Sequence, residues 1–191
     1  MASPAYDGIA THDDLVAWSR AYCREVRRER FVDVRFDLVE WAVSTRAKRR
    51  AAAVKRPKIE GAEVGSPMDW DTARTVDGRS ADGRPFPATL SLTWDAFAAF
   101  DREGWESILR HELIHLEQYQ HSGTTGHGPA FRSRAAELDT EVRCETFTDP
   151  KYVLRCEDCD GVVARRYRDC KIVSRSSEYQ SSCCGAALVV E

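Results

Sequence analysis

Long apolar runs are missing from this 191-residue chain. No segment approaches the roughly 20 uninterrupted apolar residues that a membrane-spanning helix needs, so no membrane role is expected. Residues 1–10 carry no basic-then-apolar signal pattern. Internal repeats and low-complexity tracts are absent, which excludes solenoid and tail-like architectures. An excess of one charge is lacking too, and the formal net charge of −3 argues against bulk attraction to nucleic acid. These absences lead to the expectation of a cytoplasmic monomer with reduced thiols. In that setting closely spaced cysteines bind metal in preference to forming disulfides. The length fits one moderate domain and a small module.

What the chain does contain is concentrated around residue 111. His111, Glu112 and His115 form an H-E-x-x-H cluster inside a strongly helical stretch. Residues four apart lie one turn apart on nearly the same helix face, so His111 and His115 can aim two imidazoles at one ion. Glu112 lies beside the first of them and can reach a metal-bound water without ligating the metal. Zinc in such a site keeps one position open and lowers the pKa of its water to about 7. At about 100° per residue, Trp105, Ile108, Leu109, Leu113, Leu116 and Tyr119 fall in one apolar sector. Glu112 lands in the middle of it, where a carboxylate is costly unless it is paired or has a task. The bland alternative is a buried helix whose histidines are hydrogen-bonded core residues.

A third ligand can come from three places. His121 has the offset of peptidases that follow H-E-x-x-H with x-x-G-x-x-H, but Gln118 occupies the glycine position and continues the helix, turning His121 away. His127 is preferred. The segment Ser122-Gly123-Thr124-Thr125-Gly126 ends the helix and lets the chain return, Gly126 and Gly128 permit unusual backbone angles or close approach, and Pro129 suits the first turn of a new helix. Phe131, Ala135, Leu138 and Val142 then repeat at helical spacing. Glu137 and Glu141 are the remaining candidates, and read better as solvated or supporting groups.

The tail contains Cys156-x-x-Cys159 and the adjacent pair Cys183-Cys184. Cysteine pairs separated by a short β-like stretch read as a zinc ribbon whose four thiolates leave no position for substrate. The tail has too few apolar residues to fold without a staple. Cys170 is the alternative ligand, and Cys23 and Cys144 read as ordinary small residues. Elsewhere, Arg46, Lys48, Arg49, Arg50, Lys55, Arg56 and Lys58 form a run with no acid between them. Such a run fits phosphate contact and equally fits a solvated loop face. Arg165, Arg166 and Arg168 add a smaller cluster. Trp41 and Tyr167 could stack on bases, with core packing the default for both.

Thr11 to Asp14 resembles a capping box, and Leu15, Trp18, Tyr22 and Val26 follow at helical spacing, which predicts a first helix ending near Arg30. Val32, Val34, Phe36 and Leu38 alternate as in a half-buried strand. The phase slips near Glu40, before Trp41 and Val43, which suggests a bulge. Residues 61–87 are rich in Gly, Pro and Asp and read as loop. Leu90, Leu92 and Trp94 alternate again as a strand, which could form an edge for an extended polypeptide. A domain boundary is expected near Asp149-Pro150.

The string His111-Glu112-Leu113-Ile114-His115 followed by Gly126-His127-Gly128-Pro129-Ala130-Phe131 resembles the SprT/Spartan family of zinc metallopeptidases. The order of parts resembles it too, although only the two motifs are specific. That resemblance implies His111, His115 and His127 as ligands of a catalytic zinc and Glu112 as acid/base. It also implies protein substrates associated with or covalently trapped on DNA, with single-stranded DNA as a partner. Related chains usually carry cysteine where this one has Ser181. The expected fold class is α+β: a zincin-like domain over residues 1–149, helices around a small sheet, then a ribbon over 150–191 with a second, structural zinc. The alternative function is a non-catalytic, zinc-stabilised adaptor for nucleic acid or transcription machinery. A zinc hydrolase acting on a non-peptide amide also satisfies the motif.

Overall fold

The computed structural model describes residues 4–31, 33–143 and 146–191. Val32 and Cys144 therefore lie outside the described residues. The chain divides in sequence between Phe147 and Thr148 into two compact units, and the architecture is mixed α and β with one small sheet in each unit. No described helix is long and apolar enough to cross a membrane.

The first unit opens with α1, His12–Arg30. Its start is fixed by reciprocal bonds, Asp14 N–H to Thr11 Oγ1 at 3.1 Å and Thr11 N–H to an Asp14 carboxylate oxygen at 2.9 Å. Leu15, Trp18, Ser19 and Cys23 are its buried positions. The chain next makes a 3-10 turn at Phe36–Leu38 before β1, Val39–Ser44. This corrects the expected strand over its described residues, 33–38. The alternation of Val34, Phe36 and Leu38 reflects burial without a ladder. The main chain here bonds to side chains: Arg35 N–H donates to Gln120 Oε1, Gln120 Nε2 donates to Arg35 O, and Arg27 Nε donates to Val34 O. Backbone groups satisfied in this way have no need of a neighbouring strand.

The sheet has the order β1-β3-β2, with β2 at Ala52–Lys55 and β3 at Ala88–Thr93. β1 runs parallel to β3 in unbroken register from Val39 opposite Ala88 to Ser44 opposite Thr93, so the expected bulge near Glu40 is not present. β2 is antiparallel to β3. β3 is therefore central, which corrects its assignment as a possible edge. The edges are β1 and β2. Five of the six β3 residues are buried, Leu90 and Leu92 completely, as a strand covered on both faces should be. Trp94 does not extend the strand but begins the short helix α2, Trp94–Ala99. Residues 61–87 are loop, tied by isolated bridges between Ile59 and Thr75 and between Arg74 and Ser80.

The longest element is α3, Arg102–Ser122, capped at its start by Asp101, whose side chain accepts from Gly104 N–H at 2.8 Å. Its whole expected apolar sector is buried, with Trp105, Leu109, Leu113, Leu116 and Tyr119 fully so. At about 1.5–3 kcal/mol for each large apolar side chain removed from water, this face anchors α3 against α1 and the sheet. α3 ends at Gly123, whose φ of 69° is left-handed. Gly126 and Gly128 have no positive φ, so the backbone freedom expected of them is used at Gly123 instead. α4, Pro129–Glu137, follows with Pro129 in its first turn. It stops short of Val142, which packs against the core from outside the helix.

The second unit is a small antiparallel sheet of order β5-β4-β6, made of Tyr152–Cys156 (β4), Val162–Arg166 (β5) and Leu188–Val190 (β6), with a one-turn helix α5 at Lys171–Ser174. Its buried apolar residues are Leu154, Cys156 and Leu188. That is a thin core for an independent unit.

Candidate functional site

α3 carries His111, Glu112 and His115 on the flank that faces β2 and the returning loop. The αL turn at Gly123 reverses the chain, and Gln118 holds the return by accepting from Gly126 N–H at 3.1 Å. Arg56 braces the same loop through Thr124 and Thr125 hydroxyls at 3.0 and 3.3 Å. His127 is thereby brought back over α3. Its Nε2 lies 3.1 Å from the Nε2 of both His111 and His115. Tetrahedral coordination at a Zn–N distance of 2.0–2.1 Å would set ligand nitrogens about 3.3 Å apart. The three nitrogens lie within 4.8 Å of one another, so the donor set suits one small cation. His121 lies on the exposed side of α3, away from this group.

The surroundings keep the imidazoles in the form a metal needs. His111 Nδ1 lies 2.8 Å from the Glu141 carbonyl oxygen, which can only accept. The proton therefore sits on Nδ1, and Nε2 presents its lone pair. His115 Nδ1 is 3.4 Å from Gln118 Oε1, an acceptor on the same side. The Phe131 ring packs against all three imidazoles at centroid distances of 4.6–4.8 Å. Burial holds the pKa of all three histidines below the ordinary value, and takes His115 to about 3 with help from its two neighbours. They are neutral imidazoles at neutral pH, each with one ring nitrogen free to offer its lone pair.

Glu112 is only 5 % exposed. One carboxylate oxygen accepts from Val54 N–H on β2 at 2.9 Å, a bond that points away from β3 at the sheet edge. Burial lifts its pKa to about 7, opposed by that N–H and by the positive charge of Arg50. The apolar sector thus holds a carboxyl group balanced near neutrality, as a group that both takes and returns a proton requires.

These residues line a cleft of about 370 Å³, whose rim also includes Arg49, Arg50, Thr125 and Arg143. A larger cavity, about 530 Å³, lies elsewhere along α3 beside Ile114, His121 and Arg134. No group of three ligating side chains converges there among the described residues, so volume does not mark the chemistry. Of the basic run, Arg46, Arg49, Arg50, Lys55 and Lys58 are exposed. Lys48 is paired with Asp95, and Arg56 is half-buried against Tyr119 and the two threonines. The run therefore divides between exposed side chains, of which Arg49 and Arg50 line the cleft, and two structural braces. Trp41 is half-buried and packs on the core.

In the second unit Cys156, Cys159, Cys183 and Cys184 bring their sulfurs within 4.8 Å of one another. Cys170 lies outside this group, at the start of α5. Cys156 is buried, and the Ser181 hydroxyl beside it is the largest of the causes that pull its thiol down to about 6.

Three contributors were not legible from sequence: the Glu141 carbonyl, the Val54 amide and the rim position of Arg143. Main-chain groups leave no mark in the residue type. Gln118 was legible in principle, since it stands three residues after His115 on the same helix.

A family model described as the SprT-like family matches residues 20–150, a span that takes in the histidine group and Glu112. No curated protein and no solved structure gives a significant match.

Proposed function

Because the chain belongs to the SprT-like family, we propose that it is a zinc-dependent metallopeptidase, with a zincin-like first unit and a structural zinc ribbon as its second. One observation carries the reading: three imidazole Nε2 atoms converge beside a buried carboxyl group. A zinc ion bound there supplies Lewis acidity, which makes water nucleophilic near neutral pH and polarises a carbonyl oxygen. His111, His115 and His127 hold the ion, with His111 oriented by the Glu141 carbonyl. Glu112, steadied by Val54 N–H, takes the proton of the attacking water and returns it to the leaving nitrogen. The outer edge of β2 runs past Glu112, so an extended polypeptide paired there would cross the histidines. The exposed Arg46, Arg49, Arg50, Lys55 and Lys58, with Arg143 on the rim, favour substrates that arrive on DNA, including proteins cross-linked to it.

The decisive substitution is Glu112→Gln. It keeps the shape and an acceptor for Val54 N–H but cannot carry a proton. Zinc content, read by elemental analysis, is expected to match the wild type, while cleavage of an unfolded or DNA-bound protein, with and without single-stranded DNA, falls by about 10²–10⁴-fold. Full biological function in that variant would instead favour a zinc-stabilised adaptor.

A further inference from the structure

The two turns that carry the ribbon cysteines repeat each other. In the first, Cys156 N–H donates to Gly161 O at 2.9 Å and Asp160 N–H donates to Cys156 O at 2.9 Å. In the second, Ser181 N–H donates to Ala186 O at 2.8 Å and Gly185 N–H donates to Ser181 O at 2.9 Å. Asp160 and Gly185 both have left-handed backbone, with φ of 56° and 71°. One constant shift in numbering carries Cys156 onto Ser181, Cys159 onto Cys184, Asp160 onto Gly185 and Gly161 onto Ala186. The hydrogen-bonded position filled by a thiol in the first turn is filled by serine in the second. Cys183 falls on Asp158, which is no ligand.

Ser181 still faces the cluster. It is 4 % exposed, and its Oγ lies 3.1 Å from Cys156 Sγ. A serine hydroxyl keeps its proton at neutral pH and is a poor ligand for a borderline-soft dication that takes thiolate, imidazole or carboxylate. It is a good donor to a thiolate. Cys183 Sγ meanwhile lies 3.5 Å from Cys159 Sγ, within the same group of four.

We propose that the ribbon metal is held by thiolates at three regular turn positions, Cys156, Cys159 and Cys184, and by Cys183, which is recruited out of register because serine occupies the fourth. Ser181 acts as a positioning residue whose hydroxyl donates a hydrogen bond to the Cys156 sulfur. The inference rests on reading the tail as a metal ribbon, and goes beyond it in separating the roles of Ser181 and Cys183.

Cobalt(II) titration of the full chain tests it, because sulfur-to-cobalt charge-transfer absorption counts thiolates and is blind to the histidine centre. Wild type should read four thiolates per ribbon ion. Cys183→Ser should read three and bind cobalt at least about tenfold more weakly. The double variant Ser181→Cys, Cys183→Ser should return to four thiolates and to within about threefold of wild-type affinity. That rescue also shows that any unfolding of the single variant comes from the lost ligand. Unchanged cobalt binding in Cys183→Ser, or a double variant that stays at three, overturns the proposal while leaving a metal ribbon standing. Absence of any thiolate band in wild type overturns both.

Discussion

Glu112 is the residue on which the proposed chemistry turns, and its position is legible from the helical wheel alone. A carboxyl group in the middle of a buried sector would be expelled if it had no task. Its burial has a measurable consequence. The folded-state pKa is raised to about 7 from the ordinary 4.5, so the metal-free folded protein binds a proton that the unfolded chain has lost throughout that window. Stability then falls as pH rises. The three histidines act in the opposite sense below their ordinary value, because the unfolded chain takes up protons that the folded rings refuse, but they do so equally in wild type and variant. Glu112→Gln should therefore match the metal-free wild type near about pH 4, below the unfolded value, and exceed it near about pH 8. The excess should be on the order of 1–3 kcal/mol, since each pH unit separating the folded and unfolded pKa is worth about 1.4 kcal/mol. Denaturant unfolding at the two pH values measures this, and equal stabilities at both would remove the buried-carboxyl account.

At the scale of elements, the helices were more legible than the strands, for a physical reason. The α1 capping box and the α3 stripe are local, set by residues three and four apart. The pairing of strands is not local. Val34, Phe36 and Leu38 alternate as a strand does, yet Gln120, far along the chain, satisfies the backbone there and no ladder forms. β3 reads as a strand from Leu90 and Leu92, but whether it is an edge depends on where β1 and β2 settle. The turn that delivers His127 falls in the expected segment but pivots on a different glycine. At Gly123 φ is +69°, and an added Cβ would meet Met68 Cε at 2.9 Å and Ala62 Cβ at 3.2 Å. At Gly126 it would meet only Val64 Cγ2 at 3.4 Å. Gly123→Ala should cost about 1–3 kcal/mol in denaturant unfolding and weaken metal binding at the histidines, because it displaces the loop that returns His127. Gly126→Ala should stay within about 0.5 kcal/mol of wild type. Equal effects at both positions would show that the αL turn does not set the site.

At the scale of the whole molecule, each of the two units carries one cluster of metal-ligating side chains among the described residues. Three imidazoles, neutral and convergent, sit beside a buried carboxyl group and the edge strand β2 in the first. Four thiols close on one another in the second, where Leu154, Cys156 and Leu188 supply little core. The sequence distinguished these two kinds of site through ligand type and spacing, because both motifs are short. It could not supply the carbonyl, amide and hydroxyl groups that orient them, which depend on the folded chain. The most direct measurement is an anomalous-difference map, collected at the zinc edge, from crystals of the zinc-loaded full chain. The account predicts two peaks per chain, one about 2.0–2.1 Å from the Nε2 atoms of His111, His115 and His127 and one about 2.3 Å from the ribbon sulfurs. A map with no peak among the three imidazoles, or with the ion drawn to His121 or the Glu141 carboxylate instead, would contradict it.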